Sequence, residues 1–245
     1  MKRQSLKTIV QQILKWQAKA YIRVKGPIVI IVAGTNSRYW IKEKVLEGLK
    51  EKGCDARANR KNFNAEIGLP LSILGLESGE GDFYKWRKTL IQGFKRIFQG
   101  VSREYLVLEA AIDRPDDMKY LLGITKPQVV ILTTITMIYQ ENFDDLDSIA
   151  QEYRTLVAAI PTGGKLILNR DDERIVKLSR YFQGVVITYG FHQEADFKAT
   201  EVKKEIDGQL FLLNSKNKRF TKKIPQFGKH HVYAELVKEI VQEII

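Results

Sequence analysis

Ile28-Val29-Ile30-Ile31-Val32-Ala33-Gly34-Thr35-Asn36-Ser37-Arg38-Tyr39-Trp40 is the stretch whose reading decides the fold of this chain. Six apolar residues in a row predict a strand buried on both faces, as in a parallel sheet. Gly34 then starts a turn, and Ile41 to Lys52 reads as a helix closed by Gly53. Strand, Gly-started turn and helix make the arrangement in which P-loop proteins hold a nucleotide phosphate on backbone N–H groups. The phosphate chemistry, however, is altered. A Walker-type loop carries Gly-Lys-Ser/Thr where this chain has Ser37-Arg38-Tyr39.

Outward from this loop, helices and strands alternate. Leu6, Ile9, Val10, Ile13, Leu14 and Tyr21 fall at helical spacing and predict a helix ended by Gly26-Pro27. Phe83, Trp86, Leu90, Ile91, Phe94, Ile97 and Phe98 form a second apolar stripe with Lys and Arg opposite. Such stripes either dock on the domain's own sheet or lie on a membrane surface; docking on the sheet is the expectation. Residues 105–108, 129–133, 165–168 and 185–188 read as strands, and 118–124, 146–160 and 175–182 as helices. That alternation predicts a doubly wound α/β fold with a mostly parallel sheet. From Phe197 to Ile224 the pattern changes to short strands with a turn at Asp207-Gly208, a small antiparallel β appendage, and Tyr233 to Ile245 predicts a last helix. Residues 1–26 are thus expected to form a basic amphipathic helix and residues 27–245 the α/β domain.

The formal net charge of +11 is unevenly placed: nine Lys or Arg and no acid lie between Met1 and Lys42. A second basic patch runs through Lys216, Lys218, Arg219, Lys222, Lys223 and Lys229. This asymmetry fits an anionic partner for the N-terminal helix (nucleic acid, anionic lipid or an acidic protein) or a plain solvated surface, and no nucleic-acid-binding motif accompanies it. No apolar run approaches the roughly 20 residues needed to span a bilayer. Met1 to Lys25 lacks the apolar block and small-residue cleavage site of a signal peptide, so a cytoplasmic location is expected. Cys54 as the single cysteine excludes an internal disulfide and a cysteine metal cluster. His230-His231 are expected to face different ways on a helix start and so not to form a metal pair. Asp116-Asp117 and Asp144-Asp145 sit at helix starts, where acids favour the dipole. No Gly-x-Ser-x-Gly elbow is present.

Further motifs follow in order: Asn62-Phe63-Asn64-Ala65-Glu66-Ile67-Gly68-Leu69-Pro70-Leu71, Leu106-Val107-Leu108-Glu109, Asp113-Arg114-Pro115-Asp116-Asp117, Lys126-Pro127, Thr133-Thr134-Ile135, Asn169-Arg170-Asp171-Asp172 and Gly228-Lys229-His230. With the Gly34-Thr35-Asn36 loop, this set resembles the central ATPase domain of the Mur ligases. It is most similar to the UDP-N-acetylmuramoyl-tripeptide–D-alanyl-D-alanine ligase type, and the likeness runs from about Pro27 to the C-terminus. The resemblance implies a P-loop Mur-ligase central fold, ATP and Mg²⁺ as cofactors, and a reaction in which an amine attacks an acyl phosphate made from ATP.

Carried over residue by residue, the resemblance implies nucleotide-phosphate binding at Gly34, Thr35, Asn36, Ser37, Arg38 and Tyr39. There Arg38 takes the family's lysine position, Tyr39 that of the metal-binding threonine, and Ser37 that of a glycine. Asn62 and Asn64 fall on the substrate-cleft loop, and Glu109 on a metal ligand. Tyr139 replaces a metal-binding histidine, Tyr153 a carbamylated lysine, and His231 an asparagine near the adenine. Neither tyrosine can supply the Mg²⁺ chemistry of the residue it replaces. The family's N- and C-terminal substrate domains are expected to be absent. Together these changes lead to the expectation of a catalytically impaired pseudoenzyme with a vestigial nucleotide site, acting by binding in peptidoglycan-precursor metabolism. Its expected partner is a cell-wall ligase or a UDP-linked muropeptide. Two alternatives stay open: an active ATP-dependent amide ligase completed by another chain, and a basic adaptor at a membrane or nucleic acid.

Overall fold

Among the described residues, the apolar runs assemble into one nine-stranded sheet. The computed structural model describes residues 2–59, 66–80, 82–99, 104–137 and 142–245. A long helix, α1 (Lys2–Lys25), is broken by Gly26 at φ 58 and leads into β1 (Ile28–Ala33). There follow α2 (Arg38–Glu51), β2 (Ala56–Ala58), α3 (Gly68–Leu74), α4 (Phe83–Phe98), β3 (Tyr105–Ala110), α5 (Asp117–Leu122) and β4 (Val129–Leu132). Next come α6 (Leu146–Ala158), β5 (Lys165–Asn169), α7 (Glu173–Lys177) with a 3₁₀ turn, and β6 (Val185–Gly190). The chain then runs through β7 (Phe197–Glu205), β8 (Gly208–Asn214), β9 (Arg219–Ile224) and α8 (Lys229–Ile244).

The sheet order is β2-β3-β1-β4-β5-β6-β7-β8-β9. Strands β2 through β6 are parallel, β7 joins β6 in parallel over two residue pairs, and β8 and β9 continue antiparallel. The expected appendage is therefore a continuation of the main sheet. Alternation along β1 feeds two cores, because successive strand side chains point to opposite faces. Val29, Ile31 and Ala33 pack with α1, α3, α5 and α6, while Ile30 and Val32 pack with α2 and α8.

Helix α4 departs from the expectation that it docks on the sheet. It packs on α1 instead, as an outer layer. Gly93 explains the close approach: a Cβ there would lie 2.2 Å from Gln17 Oε1, while Gln17 Nε2 donates to the Leu90 carbonyl at 2.8 Å.

A polar knot ties α1, β2 and α3 to the edge of β3. Arg57 donates two bonds of 2.9 Å to the Glu104 carboxylate and two more to the Ser72 and Ile73 carbonyls, and the Tyr21 hydroxyl donates to Glu104. Arg57 thus bonds carbonyls of the last turn of α3, adding to the Gly75 N–H that also reaches the Ser72 carbonyl.

Strand β1 lies between β3 and β4, with Val32 level with Glu109 and Ala33 level with Leu132. The connection after β1 runs to the β2 side of the sheet and the one after β4 to the β5 side, which places the switch point of the topology between the ends of β1 and β4. The loop Gly34–Ser37 therefore opens into the crevice where open α/β sheets present their ligand sites.

Candidate functional site

Gly34 is required at the end of β1 by close approach as well as by conformation. Its φ is 132, and a Cβ would fall 2.0 Å from Thr133 Oγ1 and 3.0 Å from the Thr134 backbone N and O. The next residues are stitched to the loop after β4. Thr35 N–H and Oγ1 both donate to the Thr134 carbonyl, at 2.8 and 3.0 Å, and Thr35 Oγ1 accepts from Thr136 N–H at 2.8 Å. Thr133 Oγ1 donates to the Asn36 carbonyl at 2.6 Å. Ser37 sits in the left-handed region at φ 65, ψ −2, and donates its N–H to Asn36 Oδ1 at 2.7 Å. A non-glycine residue in that region costs on the order of 1 kcal/mol. The curled backbone is retained although the side chain at its tightest point opposes it.

Helix α2 starts at Arg38, three residues before the apolar pattern begins at Ile41. The Arg38 side chain turns back into the loop: Nη1 donates to the Gly34 carbonyl and Nε lies 3.3 Å from Glu109 Oε1. Both side chains of this pair are only 13% exposed. One turn further along α2, Lys42 is 1% exposed; its Nζ donates to the Asn59 carbonyl at 2.8 Å and lies 4.0 Å from Glu109 Oε2. Asn59 in turn braces the end of β3, its Oδ1 accepting from Glu109 N–H at 2.7 Å. One carboxylate thus faces two cations, 71 and 67 positions away in the chain. Lys42 and Asn59 carry no motif and escape a sequence reading.

Aromatic rings line the mouth. Tyr39 lies over Lys42 Nζ at 5.1 Å and packs edge-on against Trp40 at 5.0 Å. Trp40 meets His231 with ring centroids 4.4 Å apart, and the two imidazoles are themselves 4.1 Å apart. This corrects the expectation that His230 and His231 face different ways. The Trp40 ring bridges from α2 to the start of α8 and draws both imidazoles toward it. Burial, then His230 and Lys44, hold the His231 imidazole below its ordinary range.

The other site candidates separate. Tyr153 is fully buried in the core under the sheet, on the face of α6 that also carries Ile149, Leu156 and Val157. Asn62, Asn64 and Tyr139 lie outside the described residues. Asp171 accepts from the N–H groups of Phe191 and His192 and from the Tyr233 hydroxyl, and Asp172 caps α7, as turn- and cap-forming residues should. Asp117 Oδ2 accepts from the N–H groups of Asp113 and Arg114, and Asp145 closes a capping box with Ser148. Among the described residues, no group of three or more His, Cys, Asp or Glu is arranged to hold a metal ion, and no helix is long and apolar enough to cross a membrane.

A mostly parallel α/β sheet with a Gly-started loop at its switch point defines a class of nucleotide-fold domains. Residues 88–237 match the family model of the Mur ligase middle domain, more than half of the chain, and the chain belongs to that family. It is 24% identical over 227 residues to the UDP-N-acetylmuramoyl-tripeptide–D-alanyl-D-alanine ligase of Bacillus subtilis (strain 168), covering 92% of this chain and 42% of that protein. The ligase of the same name from Buchnera aphidicola subsp. Baizongia pistaciae (strain Bp) is 22% identical over 205 residues, or 83% and 39% of the two chains. MurF ligase from Thermotoga maritima, solved in complex with ADP, superposes with a TM-score of 0.77 at 20% identity, over 96% of this chain and 49% of that one. The chain therefore spans less than half the length of each of these relatives.

Proposed function

We propose that this chain is a Mur-ligase-type middle domain that works by binding in peptidoglycan-precursor metabolism, with a loop filled by its own side chain in place of Mg²⁺-ATP. The observation that carries this reading is the inward turn of Arg38 onto the Gly34 carbonyl and Glu109. Nucleotide phosphate needs the loop's N–H groups clear and a cation free to follow the β and γ phosphates; here the cation is engaged within the loop. Mg²⁺ needs a set of oxygen ligands, whereas Glu109 faces the cationic groups of Arg38 and Lys42. Tyr39 and Trp40 place rings where a short hydroxyl would be required. The residues present do not fit Mg²⁺-ATP.

What these residues do is hold a hydrogen-bonded, ion-paired floor at the switch point of the sheet. Thr35 and Thr133 fasten the loops after β1 and β4 to one another, and Asn59 fixes Glu109. Such a floor supports recognition of a partner through the surrounding loops without turnover. The similarity to UDP-N-acetylmuramoyl-tripeptide–D-alanyl-D-alanine ligases supports a cell-wall ligase or a UDP-linked muropeptide as that partner.

Calorimetric titration with Mg²⁺-ATP tests the reading. The expected result is no heat of binding at millimolar ATP for the wild type. A combined Ser37→Gly, Arg38→Lys, Tyr39→Thr variant, which restores the Walker residues, is expected to gain measurable binding. Micromolar binding by the wild type that Arg38→Ala abolishes overturns the proposal and favours an active ligase completed by another chain.

A further inference from the structure

The charge of this protein is concentrated in two helices that touch one another. Helices α1 and α4 carry twelve of the chain's 40 Lys and Arg and none of its 29 Asp and Glu, which leaves 28 cations against 29 acids elsewhere. The whole positive excess thus lies on one α1–α4 layer, outside the sheet and outside the loop site.

That layer also exposes apolar side chains in register. On α4 the apolar arc is wider than α1 covers. Leu90, Gly93 and Ile97 turn toward α1 or the core, while Ile91 and Phe94, about half exposed, and Phe98, 76% exposed, continue the arc into solvent. On α1, Ile9 and Trp16 are about half exposed, seven residues and so two turns apart. The two rows meet where the Trp16 and Phe94 rings pack at 5.5 Å, beside a shallow groove lined by Gln12, Ile13, Trp16 and Phe94. Exposed Lys19 and Arg23 on α1, and Lys88 and Lys95 on α4, flank these rows.

We propose that this α1–α4 face docks on an anionic lipid bilayer, with Ile9, Trp16, Ile91, Phe94 and Phe98 entering the headgroup–acyl boundary and the flanking Lys and Arg meeting the headgroups. Charge complementarity selects that occupant. Apolar rows edged by the exposed Lys19, Arg23, Lys88 and Lys95, on two helices that carry no Asp or Glu, match a continuous negative surface and have the composition of helices that lie in a membrane interface. Duplex nucleic acid would satisfy the cations and leave five large apolar side chains without a partner. The proposal does not depend on what the loop at Gly34 binds.

Co-sedimentation of the full chain with vesicles tests it, comparing neutral phosphatidylcholine with a mixture holding about 30% phosphatidylserine. The expected result is binding to the anionic vesicles alone, weakened but not abolished by raising salt, since only the headgroup contacts are screened. Phe94→Ser with Phe98→Ser is expected to weaken partitioning by about tenfold or more, and Lys88→Glu with Lys95→Glu to remove the preference for anionic lipid. Phe98→Ser alone, at a side chain the core does not use, keeps the test valid if the double variant unfolds, and circular dichroism checks each fold. Failure to bind anionic vesicles at low salt overturns the proposal. So does vesicle binding that the serine variants leave unchanged, binding to duplex DNA without binding to vesicles, or self-association that the serine variants abolish in a protein that ignores vesicles.

Discussion

Replacing Glu109 by Gln should destabilise the fold more than replacing its partner Arg38 by Met. The geometry sets the order. Glu109 lies 3.3 Å from Arg38 and 4.0 Å from Lys42, with Arg38 and Glu109 13% exposed and Lys42 1%. At an effective dielectric of about 20, these separations correspond to roughly 5 and 4 kcal/mol of gross attraction, most of it offset by desolvation of the ions. Removing Arg38 leaves Glu109 with Lys42 and forfeits the bond to the Gly34 carbonyl, a loss of about 1–2 kcal/mol. Removing the Glu109 charge instead leaves the largely buried Arg38 without its carboxylate and Lys42 with Glu43, 3.2 Å away, and a loss of about 2–4 kcal/mol is expected. Urea unfolding with a common m-value measures both. The double variant should cost less than the sum of the singles by about 1–2 kcal/mol, since the same pair is removed only once. Glu109→Gln within about 0.5 kcal/mol of wild type, or strict additivity, refutes the reasoning.

Three further outcomes follow from other contacts. Gly34→Ala should lower stability by about 3 kcal/mol or more, read as a fall in thermal midpoint, because its Cβ has 2.0 Å to Thr133 Oγ1 and 3.0 Å to backbone atoms of Thr134. Ser37→Gly at φ 65 should be neutral to stabilising by up to about 1 kcal/mol; a loss of that size would mean that the left-handed turn carries no strain. Burial, with the Glu66 charge adding, pushes the Tyr120 phenol up to about 12, and burial raises Tyr21 and Tyr189 as well. Phenols whose folded pKa exceeds the unfolded value of about 10 stabilise fully below that pH and lose the contribution as pH rises through the folded value. The urea midpoint should therefore fall as pH rises from about 10 toward about 12, less so in Tyr120→Phe; an equal fall in that variant would count against the assignment.

The order of strands and helices was legible because buried parallel strands read as unbroken apolar runs, and β1, β3, β4 and β5 all do. Strand β2, Ala56-Arg57-Ala58, was not, since it has neither an apolar run nor alternation and is held by pairing with β3 and by the Arg57–Glu104 bonds. The first turn of α2 was missed for a related reason: Arg38, Tyr39 and Trp40 follow no apolar period and no side-chain cap announces them. At the site, the altered Walker residues were visible as letters. Their geometry was not, because Arg38, Lys42 and Glu109 meet only through the register of β1 with β3. The same limit applies to α4. Periodicity defined its apolar arc but could not say that α1 would cover only part of it.

Arg38 also changes how the loop is linked to its surroundings. A bound nucleotide stabilises its host by an amount that grows with the logarithm of its concentration, about 4 kcal/mol at a thousand times the dissociation constant. A guanidinium fixed to the first turn of α2 has no concentration of its own to vary. Under the proposed function, while Arg38 holds the Gly34 carbonyl and Glu109, the shape of this strand end would not rise and fall with the supply of nucleotide. A partner reading the crevice through its neighbouring loops would then meet the same surface whatever the nucleotide level.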